Sequence, residues 1–177
     1  MIIIIGPSAS GKTEIAKKLI KNFNFEKFIT TTTRPIRINE KNNEDYYFVT
    51  NEDFLDKINN NEFIEYTLYN SNYYGSYKKE INDNKVIILE PNGLDAFNKL
   101  NLKNTISFYI DTDKHIREKR MKDRGDKKED IEKRLKNDDK IFLNAKDKVN
   151  YKISNNEKSS LDEPTNLIYK IYKENIN

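Results

Sequence analysis

Met1-Ile2-Ile3-Ile4-Ile5-Gly6-Pro7-Ser8-Ala9-Ser10-Gly11-Lys12-Thr13 is the stretch whose reading settles the fold class. Four β-branched residues ended by Gly-Pro make a short, fully buried strand. From Lys12 onward, Ile15, Ala16, Leu19, Ile20 and Phe23 recur at helical spacing with Lys17, Lys18 and Lys21 between them, an amphipathic helix. Strand, glycine loop and helix in that order open an α/β domain. Gly6, Pro7, Ser8, Ala9, Ser10, Gly11, Lys12 and Thr13 also satisfy G-x-x-x-x-G-K-[ST]. Glycines let backbone N–H groups curl around phosphate oxygens, and the helix N-terminus adds its partial positive charge. Lys12 would reach the β- and γ-phosphates of a nucleoside triphosphate, and the Thr13 hydroxyl can ligate Mg²⁺.

The rest of the chain alternates in kind. Residues 28–85 are rich in Thr, Tyr, Asn and Phe, with short alternating runs at 46–49 and 63–66 and a helical stretch from Asp53 to Asn60. They read as a small mixed β insertion. Val86–Leu89 and Ile106–Ile110 are further buried strands. Residues 113–140 are nearly continuous charge on a helical period, broken at Gly125. A strand near Tyr151–Ile153 precedes a last amphipathic helix from about Pro164, with Leu167, Ile168, Ile171 and Tyr172 on one face.

Composition bounds the function. At 177 residues the chain is one domain of ordinary size. With 32 basic against 29 acidic side chains, a net charge of +3 does not suggest binding of nucleic acid through bulk charge. Cysteine is absent and His115 is the lone histidine, which excludes disulfides, a thiol nucleophile and the usual zinc sites. No apolar run reaches the length of a membrane helix, and no secretory signal is evident, so a cytoplasmic protein without a membrane partner is expected. The abundance of Asn, Lys, Ile, Tyr and Phe reads as genomic base bias. No N-K-x-D motif suggests a GTPase, and a small kinase is the natural remainder.

Downstream motifs narrow this. Thr30-Thr31-Thr32-Thr33-Arg34-Pro35-Ile36-Arg37-Ile38-Asn39-Glu40 sets two guanidiniums behind a strand of hydroxyl residues, and arginine grips phosphate bidentately. Asp45-Tyr46-Tyr47-Phe48-Val49, Phe63-Ile64-Glu65, Asn72-Tyr73-Tyr74-Gly75-Ser76, Leu89-Glu90-Pro91-Asn92-Gly93, Arg120 to Gly125 and Arg134-Leu135 follow in order. In this succession the chain resembles the guanylate kinase family over most of its length, and all five glycines fall inside the matching motifs.

The resemblance implies a P-loop three-layer αβα fold with a parallel core sheet, a mixed-β monophosphate-binding insertion and a helical lid. As a single domain over 1–177, it would divide into core 1–29 with the P-loop, GMP-binding insertion 30–85, core 86–112, lid 113–134 and core 135–177. It further implies ATP and GMP or dGMP as substrates, with Mg²⁺. Residues Gly6 to Thr13 would bind ATP, Thr13 meeting the metal. Arg34, Arg37, Tyr46 and Tyr74 would hold the acceptor monophosphate; Glu65 would read guanine, with Thr30 and Ser76 completing the base pocket; Glu40, Gly75 and Glu90 would be further GMP-binding residues. Lys12, Arg34, Arg120, Arg124 and Arg134 would neutralise the transferring group.

Departures from the family pattern are few. Ala9, Asn39 and Asn43 stand where glycines are typical, and Ile88 stands where an acidic residue is usual. The lid is one residue shorter between Gly125 and Arg134. Two other readings stay open at this level: a related kinase with another acceptor, and a non-catalytic protein-binding module of the same fold.

Overall fold

The computed structural model describes residues 1–69, 71–156 and 160–176. β1 (Ile2–Ile5) is buried along its whole length and leads through the loop into α1 (Lys12–Phe23). The chain then places β2 (Glu26–Lys27), β3 (Thr31–Thr32), β4 (Tyr47–Phe48), α2 (Asn51–Asn59), β5 (Phe63–Tyr69) and β6 (Asn72–Tyr77). β7 (Lys85–Ile88), α3 (Pro91–Asn98), β8 (Ile106–Asp111), α4 (Lys114–Asp123), α5 (Lys128–Ile141), β9 (Tyr151–Ser154) and α6 (Asp162–Asn175) complete it.

Two sheets result. The five-stranded sheet has the order β2-β7-β1-β8-β9, and every pairing is parallel. Ile3 lies opposite Ile87 on one side and Ser107 on the other. Since side chains alternate along a strand, Ile2 and Ile4 point to one face and Ile3 and Ile5 to the other. The first pair packs with Ile15, Leu19, Ile168 and Tyr172 of α1 and α6; the second packs with Leu94 and Phe97 of α3 and Phe142. Both faces are thus covered by helices, the three-layer arrangement expected of the sequence. Each fully buried isoleucine contributes about 1.5–3 kcal/mol of transfer free energy.

The second sheet, β4-β3-β6-β5, is mixed: β3 runs parallel to β4 and antiparallel to β6, and β5 pairs antiparallel with β6. Its own small core stacks Phe54 on Phe63 at 4.4 Å and Phe63 on Tyr77 at 4.7 Å between ring centroids. A buried Glu80 ties it to the main sheet. Its Oε1 accepts from the Tyr47 hydroxyl at 2.6 Å, and Oε2 pairs with Lys85 of β7.

Two details differ from the sequence reading. On α6 the buried positions are Pro164, Thr165, Ile168 and Tyr172, while Leu167 is 45% exposed: the helix begins earlier, and Thr165 takes an inward position by donating its hydroxyl to Leu161 O at 2.5 Å. Asparagine abundance also has a structural use beyond base bias. Among the described residues, seven non-glycine residues have positive φ, and five of them are asparagines (Asn24, Asn43, Asn61, Asn101 and Asn104). In a chain with five glycines, Asn supplies the left-handed turns at the lowest cost of any side chain.

Candidate active site

The phosphate loop leaves the C-terminal end of β1 and closes on the first turn of α1. Gly11 sits at φ +103, and a Cβ there would run into Asn155 Nδ2, so both backbone and space favour glycine. Lys12 folds back over the loop, donating to Gly6 O at 2.5 Å and Pro7 O at 2.9 Å. Burial lowers its pKa, while the charges of Glu90 and Asp138 act in the opposite direction. Ala9 lies at φ +59, the left-handed conformation its family position favours in glycine, at a cost of about 1 kcal/mol. Its methyl packs on Met121, Ile131 and Leu135 of α4 and α5, an apolar contact that glycine would lack. Asn43 is also left-handed (φ 66), whereas Asn39 is not among the positive-φ residues described, so asparagine strains nothing there.

Arg120 is anchored against this loop. Its guanidinium donates to Ala9 O at 3.3 Å, Ser10 O at 3.4 Å and Asn155 O at 3.0 Å. Asn155 is a junction the sequence reading did not single out: its Nδ2 donates to Ser10 O at 2.7 Å and its N–H to Asp111 O at 2.8 Å. Its only signal was its place just beyond a predicted strand. A cleft of about 960 Å³ opens here, lined by Gly11, His115, Ile116, Arg120, Asn155 and Asn156. Arg124, just past α4, and Arg134 of α5 converge on one carboxylate: Asp126 accepts from Arg124 Nη2 at 2.7 Å and Arg134 Nη1 at 2.9 Å. α5 runs on without a break past Arg134 to Ile141.

The second sheet brings the other predicted residues together. Arg34 Nη2 makes a bidentate pair with Glu40, at 2.7 and 2.9 Å, which also accepts from the Arg37 N–H at 3.0 Å. These bonds, the Arg34 one foremost, hold the Glu40 carboxyl below its usual pKa. The Arg34 guanidinium carbon lies 5.6 Å from the Tyr46 ring centroid, and Tyr46 meets Tyr74 edge-on at 6.3 Å. The Glu40 carboxylate foremost, and Tyr74 in the same sense, raise the Arg34 pKa. The Arg37 residue is exposed at the rim.

On the strand pair β5–β6, Glu65 faces Ser76 across the ladder, and burial raises the Glu65 pKa. Thr30 sits just before β3, its carbonyl accepting from the Tyr47 N–H at 2.9 Å. Gly75, between Tyr74 and Ser76, is buried against Phe63 and Phe54. Glu90 caps the end of β7 at the start of α3. It keeps an open side to solvent, yet neighbouring protein atoms raise its pKa, with Lys12 acting the other way. Ile88, 37% exposed, is two residues before it.

A model of the guanylate kinase family matches residues 1–166. The chain belongs to the guanylate kinase family. Among curated guanylate kinases, that of Fusobacterium nucleatum is 34% identical over 165 residues, covering 89% of this chain and 88% of that protein. The guanylate kinase of Thermotoga maritima is 32% identical over 148 residues, 77% of this chain and 70% of its own length. In fold, the crystal structure of guanylate kinase from Anaplasma phagocytophilum superimposes with a TM-score of 0.73 at 24% identity, over 100% of this chain and 86% of that one. Guanylate kinase membership thus rests on the sequence match, and the structural likeness supports the two-sheet architecture. Among the described residues, no helix of the chain is long and apolar enough to cross a membrane.

Among the described residues no group of three carboxylate or histidine ligands could hold a metal ion by itself. Thr13 is exposed on the first turn of α1. Its hydroxyl is a single hard oxygen donor of the type Mg²⁺ takes beside water and phosphate oxygens.

Proposed function

We propose that this chain transfers the γ-phosphoryl group of ATP to GMP or dGMP, giving ADP and GDP or dGDP. The observation that carries the reading is that one molecule joins a complete phosphate loop with Lys12 and Thr13 to a sheet on which Arg34, Glu40, Tyr46 and Tyr74 cluster beside Glu65 and Ser76. Retention of Lys12 weighs against a non-catalytic binding module, and a guanine-reading carboxylate weighs against another acceptor. The whole chain would act as a single domain divided as the sequence reading sets out.

In the reaction, an oxygen of the acceptor monophosphate forms a bond to the γ-phosphorus, and the bond from that phosphorus to the β–γ bridging oxygen breaks. No protein nucleophile is needed, so positioning and charge neutralisation carry the rate. The loop amides of residues 6–13 and Lys12 would hold the ATP phosphates, and the cleft beside Gly11 and Asn155 would take its nucleoside half. Mg²⁺, met by Thr13, would neutralise phosphate charge. Arg34, Arg37, Tyr46 and Tyr74 would seat the acceptor phosphate, with Glu40 holding Arg34 and Gly75 giving the GMP site its room. Glu65 would accept from guanine N1–H and the 2-amino group, with Thr30 and Ser76 completing the pocket and Glu90 beside the reacting phosphates. Arg120, Arg124 and Arg134 would close over the transferring group and exclude water. The substrates are small nucleotides, with no role for nucleic acid or membrane, and the cytoplasm is where ATP and GMP meet such an enzyme.

The test is ADP production from ATP–Mg²⁺ with GMP, dGMP, AMP, UMP, CMP and dTMP as acceptors. Turnover confined to GMP and dGMP is expected. Preference for another acceptor would overturn the base-pocket assignment and leave only the ATP half.

A further inference from the structure

Behind the phosphate loop lies a buried charge pair that phosphoryl transfer, as described, does not use. Arg117 of α4 and Asp138 of α5 are 5% and 6% exposed. Arg117 Nη1 donates to Asp138 Oδ2 at 3.0 Å, and Arg117 Nε donates to Thr112 O at 3.1 Å. Asp138 also reaches into the loop: Oδ2 accepts the Ser8 N–H at 3.0 Å, and Oδ1 accepts from the Ser8 hydroxyl at 3.1 Å. One carboxylate therefore joins the loop to both lid helices.

This contact has the chemistry of a bound phosphate. Backbone N–H groups and a hydroxyl of a phosphate loop are donors for anionic oxygens, and here an internal anion takes both. The pair is neutral as a whole, but the charge in contact with the loop is the negative one: Asp138 bonds Ser8, while Arg117 bonds Asp138 and Thr112 O. A polyphosphate entering the loop thus meets a carboxylate already seated on its donors. Asp138 lies four residues after Arg134 on α5, on the same helix face, so a carboxylate that leaves the loop moves the root of the segment carrying that arginine.

The geometry points to Asp138 as a resident anion of the phosphate loop, a latch that the phosphates of ATP displace from Ser8 and that links ATP arrival to movement of α5. It holds ATP affinity below what the loop alone would reach. The inference rests on the assignment of residues 6–13 as the ATP site, and the experiment separates the two.

Binding of ATP, and of inorganic pyrophosphate as a probe lacking any base, is measured by calorimetry on the full chain. The proteins are wild type, Asp138→Asn and the double variant Arg117→Leu/Asp138→Ala. The double variant removes both charges and leaves none buried without a partner, so it keeps its fold; Asp138→Asn, nearly isosteric, reads the same quantity independently. Dissociation constants for both ligands are expected to fall about tenfold, the scale of one charge-assisted hydrogen bond, with GMP binding unchanged. Unchanged or weaker pyrophosphate binding in variants that still unfold cooperatively would overturn the latch and leave Asp138 a structural strut. Lys12→Ala reports on the loop itself: if it binds pyrophosphate as well as wild type, the ATP-site assignment fails, whatever Asp138 does.

Discussion

Ser76 donates its hydroxyl hydrogen to Glu65 Oε1 at 2.5 Å, across the antiparallel ladder in which the two residues are direct partners. The bond fixes the carboxylate's orientation, and lone pairs on both of its oxygens remain to accept from a ligand. Glu65→Gln keeps the shape but turns an acceptor into a mixed donor, and guanine N1–H and the 2-amino group both need acceptors. The KM for GMP is expected to rise ten- to a hundredfold, with that for ATP unchanged, since a hydrogen bond to a charged group contributes about 1.5–3 kcal/mol. Acid should act in the same direction. Burial raises the Glu65 pKa, so its proton returns at a higher pH than for an ordinary glutamate. Recognition needs the ionised form; GMP affinity is therefore full above the raised pKa and is lost as pH falls through it. KM for GMP measured against pH checks this, and a flat profile down to the ordinary glutamate range would remove Glu65 from the base pocket.

Lys12 is held in place by two loop carbonyls and is ready to exchange them for phosphate oxygens. In Lys12→Ala the loop loses its charge but no core side chain. Turnover at saturating substrates is expected to drop by about a hundredfold to a thousandfold, as when one preorganised stabilising donor is removed, while thermal unfolding stays close to wild type. Turnover equal to wild type would contradict the site assignment.

Gly75 allows a close approach that the acceptor sheet depends on. A Cβ there would lie 2.9 Å from Phe63 Cδ1 and 3.0 Å from Phe54 Cζ. Neither ring can give freely, because Phe54 is stacked between Phe63 and Tyr73, at 4.4 and 5.1 Å. Gly75→Ala should cost about 1–3 kcal/mol by overpacking. Because Tyr74 and Ser76 flank the residue, KM for GMP should rise as well, with KM for ATP unaffected. Calorimetric unfolding with steady-state kinetics tests both, and an unchanged GMP KM would show that the aromatic stack yields without moving the strand.

The parts legible in the sequence were those coded locally. Ile2–Ile5, the loop and α1 are contiguous, and their periodicity and glycines carry the information between Ile2 and Phe23. β3 and β4, two residues each, fall within the hydroxyl-residue strand and the 46–49 run that the sequence displays, but the pairing of Thr31 with both Tyr47 and Gly75 is a long-range choice that no local pattern announces. Asp138 and Arg117 were hidden for a different reason. In a run of charge from 113 to 140 a solvated face is the natural reading, and only the partner on the adjacent helix makes burial of both affordable. The junction at Asn155 was masked similarly by the asparagine-rich composition around it.

The lid arginines yield the last expectation. Asp126, directly after Gly125 at φ 84, takes bonds from both Arg124 and Arg134, and those from Arg124 foremost hold its pKa low. Each arginine is about half exposed, so triphosphate oxygens with Mg²⁺ can replace this carboxylate without breaking any buried contact. Arg134→Ala should therefore lower kcat by about a thousandfold or more, the scale of an arginine acting on a transferring phosphoryl group, and leave thermal unfolding unchanged. Asp126→Asn should act in the opposite sense. It frees both guanidiniums from an internal competitor, so KM for ATP is expected to fall while kcat holds. A rise in that KM would instead mean that Asp126 orders the two arginines for the nucleotide, and the tight turn created by the shorter lid would then be a positioning device.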